Sequence, residues 1–133
     1  MPVQINVLDD GEGIEFISSG IVTGEEVIEA NKKVYTREDP LRMKYKIVDR
    51  TGCTEYRVSS KDVQILADQV RMAAKINPNF LIAVVSATDL QYGVTRMWQA
   101  YIDDLDIKTM AFRDRKSAEE WIQEELKQTV HGT

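Results

Sequence analysis

A chain of 133 residues, 43% hydrophobic and 29% charged, has the length and composition of one globular domain able to bury a core of its own. Its 17 Lys and Arg against 22 Asp and Glu leave a net charge of −5, which argues against a general nucleic-acid binder, since affinity for phosphates needs a basic face. A single cysteine and a single histidine exclude an internal disulfide and a zinc set.

The N-terminus, MPVQINVLDD, has no basic segment followed by an apolar one, and no stretch is long enough to span a bilayer. The expectation is a cytoplasmic protein with no integral membrane association and no cofactor. Gln4 to Leu8 alternates and predicts a short strand. Asp9 to Gly13 predicts a turn, because Asp-Gly tolerates positive φ, and Ile14 to Val22 is the return strand. The Gly-x-Gly in this turn is no phosphate loop, since a strand follows it rather than a helix.

Thr23 with Glu26 forms a capping box that opens the first helix, whose buried stripe is Val27, Ala30, Asn31 and Val34. Met43 to Val48 is the next strand. Lys44 and Lys46 alternate there with Met43, Tyr45 and Ile47, which predicts one wetter face. A loop holding Cys53 follows, and Ser59-Ser60 opens a helix with one apolar stripe of Val63, Leu66, Ala67, Val70, Ala73 and Ala74.

Phe80 to Ala87 is an apolar run of the kind expected for a strand covered on both faces. Thr88 with Gln91 caps another helix, with Leu90, Val94, Met97, Trp98, Tyr101, Ile102 and Leu105 expected inward. Ile107 to Phe112 is the last strand. Asp114 or Ser117 caps a final helix that buries Ala118, Trp121, Ile122 and Leu126. Residues 1–127 form a single domain, and the polar residues 128–133 a flexible tail.

The order β-β-α-β-α-β-α-β-α predicts an α/β fold with a mostly parallel sheet and an antiparallel N-terminal strand. If the strands lie in sequence order, every crossover helix lands on one face and the other stays partly open. The stretches SGIVTGEEVIEA, YKIVD with its loop and SSKDVQIL, and MAFRDRKSAEEWIQEEL resemble the SpoIIAA-like family, relatives of the STAS domain of anti-sigma-factor antagonists. The same topology resembles Sec14-type lipid-binding domains.

That resemblance implies partner switching, with Ser59 or Ser60 where antagonists have a phosphorylated serine. The sequence departs from the antagonist Asp-Ser-Ser-Gly, since Val58 precedes the pair and Lys61-Asp62 follow it. A phosphate at a helix start meets free N–H groups, yet a serine there is also an ordinary N-cap. Ile65 and Met72 lie beside the main stripe of their helix and predict an exposed apolar surface for a protein partner or a homodimer. Val94, Met97, Trp98 and Tyr101 are the alternative, a pocket for a small apolar ligand or lipid. Cys53 has cations nearby that would lower its pKa, but the lone His131 in the tail makes no credible base. Asp103, Asp104 and Asp106 form an acidic cluster at a helix C-terminus, a candidate cation or partner site. No nucleophile–base pair, metal set or phosphate loop can be assembled, so a non-enzymatic binding domain is expected.

Overall fold

Turn chemistry sets the first pairing. Val3–Leu8 (β1) and Gly13–Thr23 (β2) form an antiparallel hairpin with Leu8 opposite Gly13. Asp9, Asp10 and Gly11 all take positive φ between them (50°, 56° and 96°), as the Asp-Gly reading requires. The computed structural model describes residues 2–37 and 39–131.

From there strands and helices alternate: Gly24–Tyr35 (α1), Tyr45–Arg57 (β3), Ser60–Ile76 (α2), Leu81–Val85 (β4), Asp89–Tyr101 (α3), Lys108–Phe112 (β5) and Arg115–His131 (α4). The sheet runs β1-β2-β3-β4-β5, parallel after the first pair. Right-handed crossovers between strands in chain order place α1, α2 and α3 on one face, over Ile14, Phe16, Val48, Ile82 and Val84. The other face is covered by α4, whose Ala118 and Ile122 pack on Ile47, Leu81, Ala83 and Val85. The capping boxes Thr23/Glu26 and Ser59/Asp62 both form, and Asp114 accepts from the Ser117 N–H at 2.8 Å. No helix among the described residues is long and apolar enough to cross a membrane.

Four local expectations are corrected. The segment expected as a loop after Val48 is strand through Arg57, because β2 is long enough to pair it, with Gly20 opposite Cys53 and Thr23 opposite Arg57. Register shifts after Ile17 and after Gly20, with Gly20 at φ 66°, reset the alternation and bring Val22 and Tyr56 into the three-helix core. The wetter face of β3 fails at Lys46, which is only 4% exposed beneath the helices, whereas Lys44 is exposed and paired with Glu12 at 2.9 Å.

The stripe of α3 is turned from the one expected. Gln91, Thr95, Trp98 and Ile102 are buried, while Leu90, Met97 and Tyr101 are 66%, 41% and 41% exposed. Inward polar positions are tolerated because each has a partner, given below. Finally, α4 continues through residues 128–131 of the expected tail, with no glycine or proline to stop it before Gly132. Gly132 and Thr133 lie outside the described residues.

Candidate functional site

The first candidate surface is the start of α2. Ser59 is the N-cap: its Oγ accepts from the Asp62 N–H at 3.1 Å, and the Asp62 carboxylate accepts from the Ser59 N–H at 3.0 Å. Ser60, the first helical residue, is exposed and makes no side-chain hydrogen bond among the described residues. Gly24 lets the first turn of α1 come close, since a Cβ there would lie 2.2 Å from the Asp62 carboxylate oxygen. Along α2, Ile65 and Met72 are exposed, and Ile76 continues their line. Ile76 was legible, being eleven residues from Ile65 and so back on the same helical azimuth.

The acidic cluster divides. Asp104 is held by a two-pronged ion pair with Arg71 (2.7 and 3.1 Å), and Arg71 also donates to the Tyr101 carbonyl at 2.7 Å. The hydrogen bond from Arg71 keeps the Asp104 carboxyl below its ordinary range. It therefore ties α2 to the end of α3, while Asp103 and Asp106 stay in solvent. No group of three or more metal-ligating side chains occurs among the described residues. Cys53 is half-buried in β3, and burial pushes its thiol upward against the opposing pull of Arg50, the reverse of the expected activation.

The four-residue apolar pocket does not form. Val94 and Trp98 face the sheet, but Met97 and Tyr101 lie on the outside of the helix. The space beneath Trp98 measures about 30 Å³, against roughly 300 Å³ at the low end for ligand sites.

That small space is lined by groups the sequence reading passed over. Lys46 and Arg50 of β3 both point into it, with Asn31 of α1 and Tyr56 from the far end of β3. Lys46 Nζ donates to Asn31 Oδ1 at 2.6 Å and to Tyr35 Oη at 3.0 Å. It also lies over the Phe16 ring at 4.5 Å. Burial, reinforced by the charge of Arg50, lowers its pKa to about 7. Arg50 donates to Thr95 Oγ1 at 2.8 Å and stacks on Tyr56 at 4.5 Å. Thr95 in turn donates to the Gln91 carbonyl, and the Gln91 side chain accepts from the Ala87 N–H at 2.8 Å. These are the partners that let polar residues face inward on α3. The hydroxyls of Tyr56 and, one residue past β4, Ser86 are buried without a partner among the described residues.

No family model matches the chain, and no curated protein matches it significantly. Solved structures do. One is the anti-sigma factor antagonist SpoIIAA in its unphosphorylated form, 13% identical at a TM-score of 0.58 over 98% of this chain and 99% of that one. The fold is SpoIIAA-like. A second likeness is an uncharacterized DUF3478 protein with a SpoIIAA-like fold from Shewanella loihica PV-4, 17% identical at a TM-score of 0.50 over 90% of this chain and 91% of that one. On this SpoIIAA-like frame the serine pair opens α2 at the rim of the sheet, and the cationic cluster lies beneath the same helix.

Proposed function

We propose that the chain is a non-enzymatic regulatory domain of the cytoplasm that meets a protein partner through the solvent side of α2, with Ser60 as its modifiable residue. The supporting observation is a division of labour: Ser59 is committed to the cap, and the Ser60 hydroxyl is exposed with no structural duty. A phosphate on Ser60 would meet the free N–H groups and positive dipole end of the first turn, beside Lys61, without breaking the capping box. Ile65, Met72 and Ile76 supply the apolar contact such a surface needs. SpoIIAA, described in its unphosphorylated form, is an anti-sigma factor antagonist; the same class of work on a partner is what this surface suits. An apolar ligand under α3 is the weaker reading, given the volume there.

The test is mass spectrometry of the protein recovered from its own cells, with partner capture by the parent and by Ile65→Glu/Met72→Glu. Phosphate on Ser60, and a captured protein that the double variant and Ser60→Asp no longer hold, supports the reading. An unmodified serine pair together with capture indifferent to both changes rejects it.

A further inference from the structure

The cluster under α2 has more donors than acceptors and more positive charge than negative, and the proposed role of the helix surface uses neither. We propose that the space between β3 and the three helices is an anion site. It takes one small monovalent anion, a halide or the carboxylate of a short acid, between Lys46, Arg50 and Tyr56.

The donor count comes first. A lysine ammonium has three N–H groups, and Lys46 uses two, on Asn31 and Tyr35. An arginine has five, and among the described residues Arg50 uses one, on Thr95. The Tyr56 hydroxyl, on a side chain 8% exposed and lining the same space, has no partner among the described residues. The nearby acceptors Asn31 Oδ1, Tyr35 Oη and Thr95 Oγ1 each already accept one of these donors. A water molecule would bring two further donors, whereas an anion only accepts.

Charge points the same way. The other ionised group acting on Lys46 is Arg50, so its field is one of repulsion, in a region where apolar walls weaken screening. Carboxylates near β3 either lie on the opposite face, as Asp49 does, or act on Tyr56 rather than Lys46, as Asp62 does. One bound anion offsets that repulsion and accepts the idle N–H groups at once. Size sets the limit. About 30 Å³, against roughly 300 Å³ at the low end for ligand pockets, restricts the occupant to a single small ion and disfavours sulfate or a phosphate ester.

The site has a built-in pH dependence. An anion beside Lys46 favours its charged form, so affinity falls as pH rises through about 7. The titratable and charged groups facing it are Tyr35 from α1 and Arg50 and Tyr56 from β3. Burial pushes both tyrosines upward, so they stay neutral across this range; β2 and α3 present apolar or uncharged side chains to the space, as does α2 apart from the charge of Asp62, which acts on Tyr56.

The experiment is thermal unfolding of the full chain in sodium bromide, and separately in sodium formate, at pH 6 and pH 9. Ionic strength is held constant with sodium sulfate, and the parent is compared with Lys46→Met and Tyr56→Phe. A bromide-soaked crystal supplies the location. The expected result is a saturable rise in Tm at pH 6, with apparent affinity at least tenfold weaker at pH 9 and in either variant. An anomalous peak should lie within hydrogen-bond distance of Lys46 Nζ. Response to bromide alone makes it a halide site, and response to both salts a site for carboxylates as well. If Lys46→Met does not fold, the Tyr56→Phe arm decides. Equal responses in parent and Tyr56→Phe, no saturable response to either salt, or bromide found only elsewhere would overturn the assignment.

Discussion

The two faces of β3 handle buried charge in opposite ways. Towards α4, Asp49 and the neighbouring Glu15 of β2 share Arg115, which donates to Asp49 Oδ2 at 3.1 Å and to Glu15 Oε2. Burial works to raise both carboxyls, but hydrogen bonds from Asn6 and Arg115 on Glu15, and from Thr51 and Arg115 on Asp49, outweigh it and hold them below the ordinary range. Towards α1, α2 and α3, Lys46 and Arg50 meet amides, hydroxyls and rings but no carboxylate among the described residues, and the lysine moves toward its neutral form instead. One strand thus settles charge by pairing on one side and by desolvation on the other. The helix that arrives decides which: α4 begins with an arginine, whereas α1 and α3 bring Asn31 and Thr95.

The contrast breaks most visibly in packing. Trp98→Ala, on the three-helix face, should cost about 3–5 kcal/mol in urea unfolding. Trp121→Ala, partly buried and tilted on Phe112 at 5.8 Å, should cost about half as much. Equal losses would mean that the two layers are equally packed.

Proton linkage sharpens it next. The folded pKa of Lys46, about 7, lies below the unfolded 10.5, so the unfolded chain binds more protons between these values and stability rises with pH across them. From pH 7 to pH 9 the parent should gain about 2 kcal/mol relative to Lys46→Met, read from paired denaturant curves. A constant difference between the two proteins would show that the lysine stays charged. The α4 face has the other sign. Glu15 and Asp49, with depressed folded values, add stability that is complete above the ordinary carboxylate range and lost as pH falls through their folded pKa values. Arg115→Met should therefore remove about 1–2 kcal/mol at neutral pH and flatten the acid limb of the stability curve.

The smallest effects sit outside both faces and calibrate the rest. Ser59→Ala should cost about 1 kcal/mol through the lost cap. Ser60→Ala should leave the melting curve within error, and a loss equal to that of Ser59→Ala would assign Ser60 a structural role.

Much of this fold was legible because local and long-range signals agreed. The Asp-Gly turn and the helix caps each followed from a few residues, and the three-helix face followed once the strands lay in chain order. The far half of β3 was not legible, since DRTGCTEYR has neither alternation nor an apolar run and is strand only because β2 extends beside it. The α3 stripe was misplaced by weighting bulk over partnership: Gln91 and Thr95 look like surface residues until Arg50 and the Ala87 N–H require them. The buried cluster left one overlooked sign. Lys46, Val48 and Arg50 share a parity, opposite to Tyr45, Ile47 and Asp49. With three crossover helices on one face and a fourth helix available for the other, neither set could remain wet.

The close approach at Gly24 has a consequence for how such a chain can diverge. With no side chain at residue 24, the carboxylate of Asp62 occupies the volume a Cβ would take and fixes the N–H of Ser59. A larger residue at 24 has to be accompanied by a smaller or redirected one at 62, and the Asp62 half of the capping box on α2 is lost with it. A change at residue 24 should therefore be accompanied by one at residue 62 across descendants of this sequence, although they belong to different helices and share no bond.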